Sequence, residues 1–216
     1  IAVSATIILL VTGTVAIAIT EWNGAFAGMS LTDKLVHSLF NAATPRTAGF
    51  NSVSINHFSL LTLILYIILM WIGGASQSTA GGIKVNTIGV AFASFMSTVR
   101  DEKSVTMFNR TITDKSVKRA FATIFGSVMV IIICFVTLLV LEPEIAAFDL
   151  LFETVSALST VGASMGITAT LTTASKVIVS AMMFIGRVGL ITVAMSLFAS
   201  RGHKHFQLPE ENVIIN

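Results

Sequence analysis

The sequence predicts an all-α integral membrane protein made of two repeats, each a long helix, a short helix and a second long helix. Three observations carry this: the chain is too apolar for water, its apolar runs have the length of bilayer spans, and two short motifs recur at one fixed offset. Of its 216 residues, 54% are hydrophobic and 11% are charged, and the mean hydropathy is +0.88. That leaves too little polar side chain to clothe a water-soluble globule. Uncharged stretches run through 1–20, 58–83, 121–141 and, interrupted only by Arg187, 177–200. Each approaches the roughly 20 residues that cross about 30 Å of hydrocarbon, so four spans are expected.

The repeat is read from two motifs. Ile72-Gly73-Gly74 recurs as Ile185-Gly186-Arg187, and Thr47-Ala48-Gly49 recurs as Thr160-Val161-Gly162, each displaced by 113 positions. In both copies the loop glycine precedes the helix glycine by 24 residues, a spacing that two unrelated turns would not share. The chain therefore divides into a first repeat (1–99), a basic loop (100–119), a second repeat (120–200) and a tail (201–216).

Charge orients it. Arg100, Lys103, Arg110, Lys115, Lys118 and Arg119 crowd the loop between the second and third spans, while Glu142 and Glu144 lie at the other end of the third. By the positive-inside rule the basic loop is cytoplasmic, and so are both chain ends, with Arg201 and Lys204 following the last span. A multi-pass membrane protein results. The chain opens inside an apolar run without an initiating Met or a basic leader, so an upstream portion is expected outside this numbering. Cys134, the single cysteine, falls inside the third span and reads as packing.

Between the spans lie two short segments, 31–43 and 146–158, too short to cross and placed on the extracellular side. As re-entrant helices they would aim the negative ends of their dipoles at the membrane centre, which favours a cation there. The loops that follow them, 47–51 and 160–164, would sit at a depth where irregular backbone is tolerated only if buried in protein or facing water. Gly49 and Gly162 allow torsions that turn carbonyl oxygens inward to replace an ion's hydration shell. A Thr-x-Gly sequence is by itself a commonplace turn; its paired occurrence after a short helix and before a span argues for the ion site.

The second span contains Gly73-Gly74-Ala75-Ser76-Gln77-Ser78-Thr79-Ala80-Gly81-Gly82, too polar and glycine-rich for a helix facing lipid. It is expected to unwind into the ion path as broken transporter helices do. A kink that merely lets helices approach is the plainer alternative. Arg187 stands in register with Gly74, and its donors can reach freed carbonyls or the hydroxyls of Ser76 and Ser78, as a structural bridge and as a gate latch.

Several patterns lead elsewhere and are set aside. Gly81-Gly82-Ile83-Lys84 lacks the order of a phosphate loop, and Gly74-Ala75-Ser76-Gln77-Ser78 lacks the second glycine of a nucleophile elbow. With no histidine in a span to act as base, an intramembrane protease is a weak alternative, and no enzyme activity is expected. His203 and His205 read as solvated rather than metal-binding. Asn109-Arg110-Thr111 fits the glycosylation pattern but lies on the cytoplasmic side. For Glu153 three roles stand side by side: functional carboxylate, helix-packing residue, or buffer near the loop mouth.

Taken together, the stretches Asn41-Ala42-Ala43-Thr44-Pro45-Arg46-Thr47-Ala48-Gly49-Phe50-Asn51, Gly73 to Lys84 and Thr160-Val161-Gly162-Ala163-Ser164-Met165-Gly166 resemble the Trk/Ktr/HKT potassium transporter superfamily, most closely its bacterial KtrB-type membrane subunit. The ending Pro209-Glu210-Glu211-Asn212-Val213-Ile214-Ile215 is similar as well. The resemblance implies membrane-helix/pore-helix/membrane-helix repeats of a potassium-channel-like pore, here the third and fourth of four, with repeats one and two upstream. It implies a K+ filter lined by the carbonyls of Thr47, Ala48 and Gly49 with Phe50, and of Thr160, Val161 and Gly162 with Ala163. It further implies a gating loop over Gly73–Gly82 latched by Arg187, and potassium uptake, with sodium as a possible second ion. The partners implied are a homodimer mate and a cytoplasmic nucleotide-binding, RCK-type regulatory ring met by the basic loop and the tail; no nucleic acid and no covalent cofactor are implied. A subunit that is structural or conducts another cation is the competing class.

Overall fold

The computed structural model describes residues 2–75, 78, 80–102, 104–107, 110–189 and 192. Its helices are α1 (Ala2–Glu21), α2 (Leu31–Ala43), α3 (Leu60–Trp71) and α4 (Val85–Val99), then, after two short strands β1 (Thr106–Met107) and β2 (Arg110–Thr111), α5 (Asp114–Leu141), α6 (Ala147–Leu158) and α7 (Thr173–Val188). Single 3-10 turns, Ile55–His57 and Ile167–Ala169, precede α3 and α7. The order long helix, short helix, 3-10 turn, helix thus occurs twice.

Among the described residues, α1 and α5 are long and apolar enough to cross a membrane. At 1.5 Å per residue, the 28 residues of α5 extend about 42 Å, well beyond the hydrocarbon core. It begins at Asp114, ahead of the predicted 121, so Lys115, Lys118 and Arg119 belong to its first turns and not to the loop. The basic connection accordingly shrinks to 100–113 and carries the small antiparallel ladder of β1 and β2, which the sequence reading treated as plain loop.

The predicted second span is divided: α3 stops at Trp71 after 12 residues and α4 begins at Val85, with no helix among the described residues between them. The predicted fourth span also differs. α7 ends at Val188, where Gly189 caps it at φ 93°, so Arg187 sits in a last helical turn rather than inside a continuous span. Beyond Gly189, only Thr192 of the predicted span is described; the tail with His203 and His205 lies outside the described residues.

Hydroxyl side chains start the short helices. Ser30 accepts from the Asp33 N–H at 3.2 Å, Ser59 from Thr62 at 3.4 Å and Thr172 from Ser175 at 3.4 Å, each satisfying a first-turn donor that the helix leaves orphaned. Two carboxylates extend the capping of α3 and α7. Glu21, 1% exposed at the end of α1, accepts at Oε1 from the Ser59 N–H (2.9 Å), the Ser59 hydroxyl (2.7 Å) and the Thr62 hydroxyl, and at Oε2 from the Ala25 N–H (3.1 Å). Glu142, just past α5, accepts from the Thr172 N–H at 2.7 Å. Each long helix is therefore clasped to the next outer helix of its unit by an anion at that helix's positive end.

α6 is the centre of the molecule: Leu150 and every residue from 152 to 158 are buried. Phe152, Val155, Val161 and Ala163 join Ile17, Phe58, Tyr66 and Met70 in one core shared by both units. An aromatic series crosses it, from Phe26 to Phe58 (6.2 Å), Phe58 to Tyr66 (5.8 Å) and Tyr66 to Phe152 (6.5 Å). A second cluster, Leu138, Leu158, Leu171, Val179 and Met182 among its members, fastens α5, α6 and α7 together. By contrast Val3, Ile7, Val11, Val15 and Ile19 on α1, and Ile133, Val136 and Val140 on α5, are exposed. Hydrocarbon tolerates such faces where water does not.

Candidate functional site

The two Thr-x-Gly loops adopt the same backbone pattern. Thr47 (φ 78°) and Gly49 (φ 71°) in the first, and Thr160 (φ 53°) and Gly162 (φ 82°) in the second, are left-handed, with an ordinary residue between them. For a β-branched threonine this is strained backbone, costing about 1–3 kcal/mol, and it persists only where the surroundings over-determine it.

In the first loop that support is visible. Pro45 removes the next helical donor, so α2 stops, and the carbonyl of Thr44 receives the N–H groups of both Ala48 (3.0 Å) and Gly49 (3.2 Å). The Thr44 hydroxyl closes the loop by donating to the Phe50 carbonyl at 2.6 Å. Asn41 ties the outgoing chain to α2: its amide donates to Ser52 Oγ (2.9 Å) and to the His37 carbonyl (2.8 Å), while its oxygen accepts from the buried Tyr66 hydroxyl (2.7 Å). The Phe50 ring itself is exposed.

The second loop follows α6 directly, with Thr160 N–H donating to Ala157 (3.0 Å) and Val161 N–H to Ser156 (3.0 Å). Val161 and Ala163 bury their side chains in the shared core, leaving their backbone to form the loop surface. The loops abut one another: a Cβ at Gly49 would lie 2.1 Å from the Val161 carbonyl oxygen, so that position has room for glycine alone. Glu153, which the sequence left open, is buried behind the second loop and accepts from the Thr168 hydroxyl at 2.6 Å.

The broken stretch doubles back on itself. Gly73 N–H donates to the Ile83 carbonyl (2.8 Å), Ile83 N–H to Trp71 (3.3 Å) and Val85 N–H to Gly74 (3.1 Å), so its two legs are zipped together at their base. Its far end rests against the second loop: a Cβ at Gly81 would be 2.3 Å from Thr160 Oγ1 and 2.9 Å from the Ser159 carbonyl oxygen. The helix glycines also mark close approaches, Gly73 to the Gly81 carbonyl and Gly186 to the Leu158 carbonyl, where a Cβ would come within 2.3 Å and 1.9 Å. Ser76, Gln77 and Thr79 lie outside the described residues.

Arg187 lines a cavity of about 230 Å³ together with Ala80, Gly82, Lys84, Thr87, Thr123 and Ser127. The carbonyls of Ser78 (3.3 Å) and Ala80 receive the ammonium of Lys84, to which the sequence reading gave no role of its own. Lys84, Glu21 and Thr168 were missed because each acts through a partner remote in sequence or across an irregular loop, where no periodicity points to it.

The family model TrkH, described as a cation transport protein, matches residues 1–203. The chain is 36% identical over all its length to the potassium/sodium uptake protein NtpJ of Enterococcus hirae. It is 38% identical over 97% of its length to Ktr system potassium uptake protein B of Vibrio alginolyticus, and 37% over 88% to the protein of that name from Bacillus subtilis. It covers 49%, 46% and 42% of these relatives, and so spans about half their length. The crystal structure of the potassium transporter TrkH from Vibrio parahaemolyticus shares the fold, with a TM-score of 0.75 at 17% identity over 90% of this chain and 43% of that one.

Proposed function

The chain belongs to the TrkH cation transport family, a family of membrane transporters and not of enzymes, and on that premise we propose that it forms half the lining of a potassium-selective conduction pathway. The observation that carries the proposal is the matched left-handed torsion at alternate residues, 47 and 49 in one loop and 160 and 162 in the other. Left-handed residues at alternate positions turn successive carbonyls to the same side of the chain, where together they replace the water around a bare cation. The carbonyls of Thr47, Ala48 and Gly49, and of Thr160, Val161 and Gly162, are the ones assigned to K+, with Phe50 and Ala163 completing the two strands. α2 and α6 are the pore helices that aim their negative ends at this point.

On this reading residues 1–99 and 120–200 are the third and fourth membrane-helix/pore-helix/membrane-helix repeats, and two upstream repeats complete the filter. Gly73–Gly82 is the gate: its zipped legs and its contact with Thr160 support a loop standing across the path beneath the filter, held by Lys84 and Arg187. Transport is passive. One charge falling through 100 mV gains about 2.3 kcal/mol, enough for roughly fifty-fold accumulation without a reacting group. The names of the relatives, potassium/sodium and Ktr uptake proteins, support K+ as cargo with Na+ as a second ion. The cytoplasmic basic connection and tail would meet a nucleotide-binding regulatory ring beneath a homodimer in the inner membrane.

The test is rubidium uptake and growth at low external potassium in uptake-deficient cells, comparing the full-length protein with a version lacking residues 75–80. Rescue by the wild type, and faster, less regulated flux in the deletion, is the expected result. Failure of the wild type to rescue, with a regulatory partner supplied, overturns the assignment.

A further inference from the structure

The transport reading makes no use of Glu153, yet this carboxylate lies directly behind the second loop, 4% exposed on α6. Its Oε1 accepts from Thr168 Oγ1 at 2.6 Å, Thr168 Oγ1 is 2.8 Å from Ser164 Oγ, and Ser164 Oγ accepts the Gly166 N–H at 3.0 Å. A hydroxyl has one proton to give. Thr168 spends its proton on Glu153, so Ser164 must donate to Thr168. The chain therefore has one direction, Gly166 N–H to Ser164 to Thr168 to Glu153, and its sense is set by the carboxylate at its end.

What this chain holds is the exit of the loop: Ser164 follows Ala163 immediately, and Gly162 (φ 82°) and Gly166 (φ 92°) on either side are left-handed residues with nothing within 4 Å of a would-be Cβ. Ala163 and Met165 pack on the shared core, and between them the hydrogen bonds of Ser164 and Gly166 hold the backbone. Glu153 Oε2 has no hydrogen-bond partner among the described residues. A half-satisfied buried carboxylate is a costly way to pack a helix, and an apolar side chain would serve packing better. The first loop, by contrast, is closed by neutral groups, Thr44 and Asn41.

We propose that Glu153 is a positioning residue for ion discrimination: as terminal acceptor it orders the Ser164–Thr168 hydroxyl chain that fixes the second loop. The inference rests on the transport reading above. Its test compares E153Q, E153L, T168V and wild type in the full-length protein, measuring rubidium uptake, its inhibition by sodium, and abundance in the membrane. A buried polar group left without its hydrogen bond shifts an equilibrium about tenfold, so E153L and T168V should lose about tenfold in discrimination of K+ over Na+ at unchanged abundance. E153Q, whose amide oxygen still accepts from Thr168, should stay within about twofold of wild type. If E153L does not accumulate, T168V, which removes only a hydroxyl, decides. A selective wild type beside an equally selective T168V overturns the inference alone, as does an E153Q as impaired as E153L. A wild type without selective uptake overturns the transport reading and the inference with it.

Discussion

Replacing Gly81 with alanine isolates the gate from the filter. The new Cβ would lie 2.3 Å from Thr160 Oγ1, 2.6 Å from its Cγ2 and 2.9 Å from the Ser159 carbonyl oxygen, where ordinary contact begins at 3.4 Å. The gap must open by about 1 Å. Thr160 cannot yield easily, because its branched side chain is stiff at χ1 and its backbone is already pinned at φ 53° by the Ala157 carbonyl. The end of the broken stretch must therefore leave its seat. Overpacking of this kind costs about 1–3 kcal/mol, which shifts a seated-to-displaced equilibrium by roughly 5- to 150-fold. Initial rubidium uptake by the full-length G81A protein, measured without activating partner and at matched abundance, should rise severalfold while K+ over Na+ discrimination is kept. Uptake indistinguishable from wild type would refute the seating of the loop on Thr160.

Three further outcomes follow from the geometry. G49A meets both a left-handed backbone and the Val161 carbonyl at 2.1 Å, so it should abolish selective uptake; G162A, with open space around it, should cost only the strain of about 1 kcal/mol and retain measurable transport. E21A strands the donors of Ser59, Thr62 and Ala25 and should lower stability by about 1–3 kcal/mol, read as a fall of several degrees in detergent melting, with E21Q recovering part. Glu142 lies outside the spans, and hydrogen bonds from Ser175 and Thr172 hold its carboxyl below the usual 4.5. Its contribution is present above that ordinary value and drains away as pH falls through the lower folded one, so melting temperature should drop in that acid range for wild type and less for E142Q.

The long helices α1 and α5 were legible because composition and length alone dictate them, and the short helix at Leu31–Ala43 stood out by its flanks. The paired loops were legible through one repeated spacing, and the break after Trp71 through glycine and serine where apolar side chains should be. The end of α7 at Gly189 was not, since an isolated glycine in an apolar run is compatible with a continuing helix. Nor was the role of Lys84: holding the carbonyls of Ser78 and Ala80 depends on how an irregular loop folds back, which residue order does not specify. Glu21 and Glu142 occupy unequal distances from their repeat landmarks, so the offset that revealed the loops concealed the clasps.

The stacking of Tyr66 on Phe152 bears on how this protein is made. The first unit leaves the ribosome well before the second, and until Phe152, Val155 and Val161 arrive, its half of the core has no lid. Tyr66, once made, waits uncovered for the 86 residues of further synthesis that separate it from Phe152. A chain ended within α5 lacks Phe152, Val155 and Val161 and so leaves Tyr66 and Met70 without those partners.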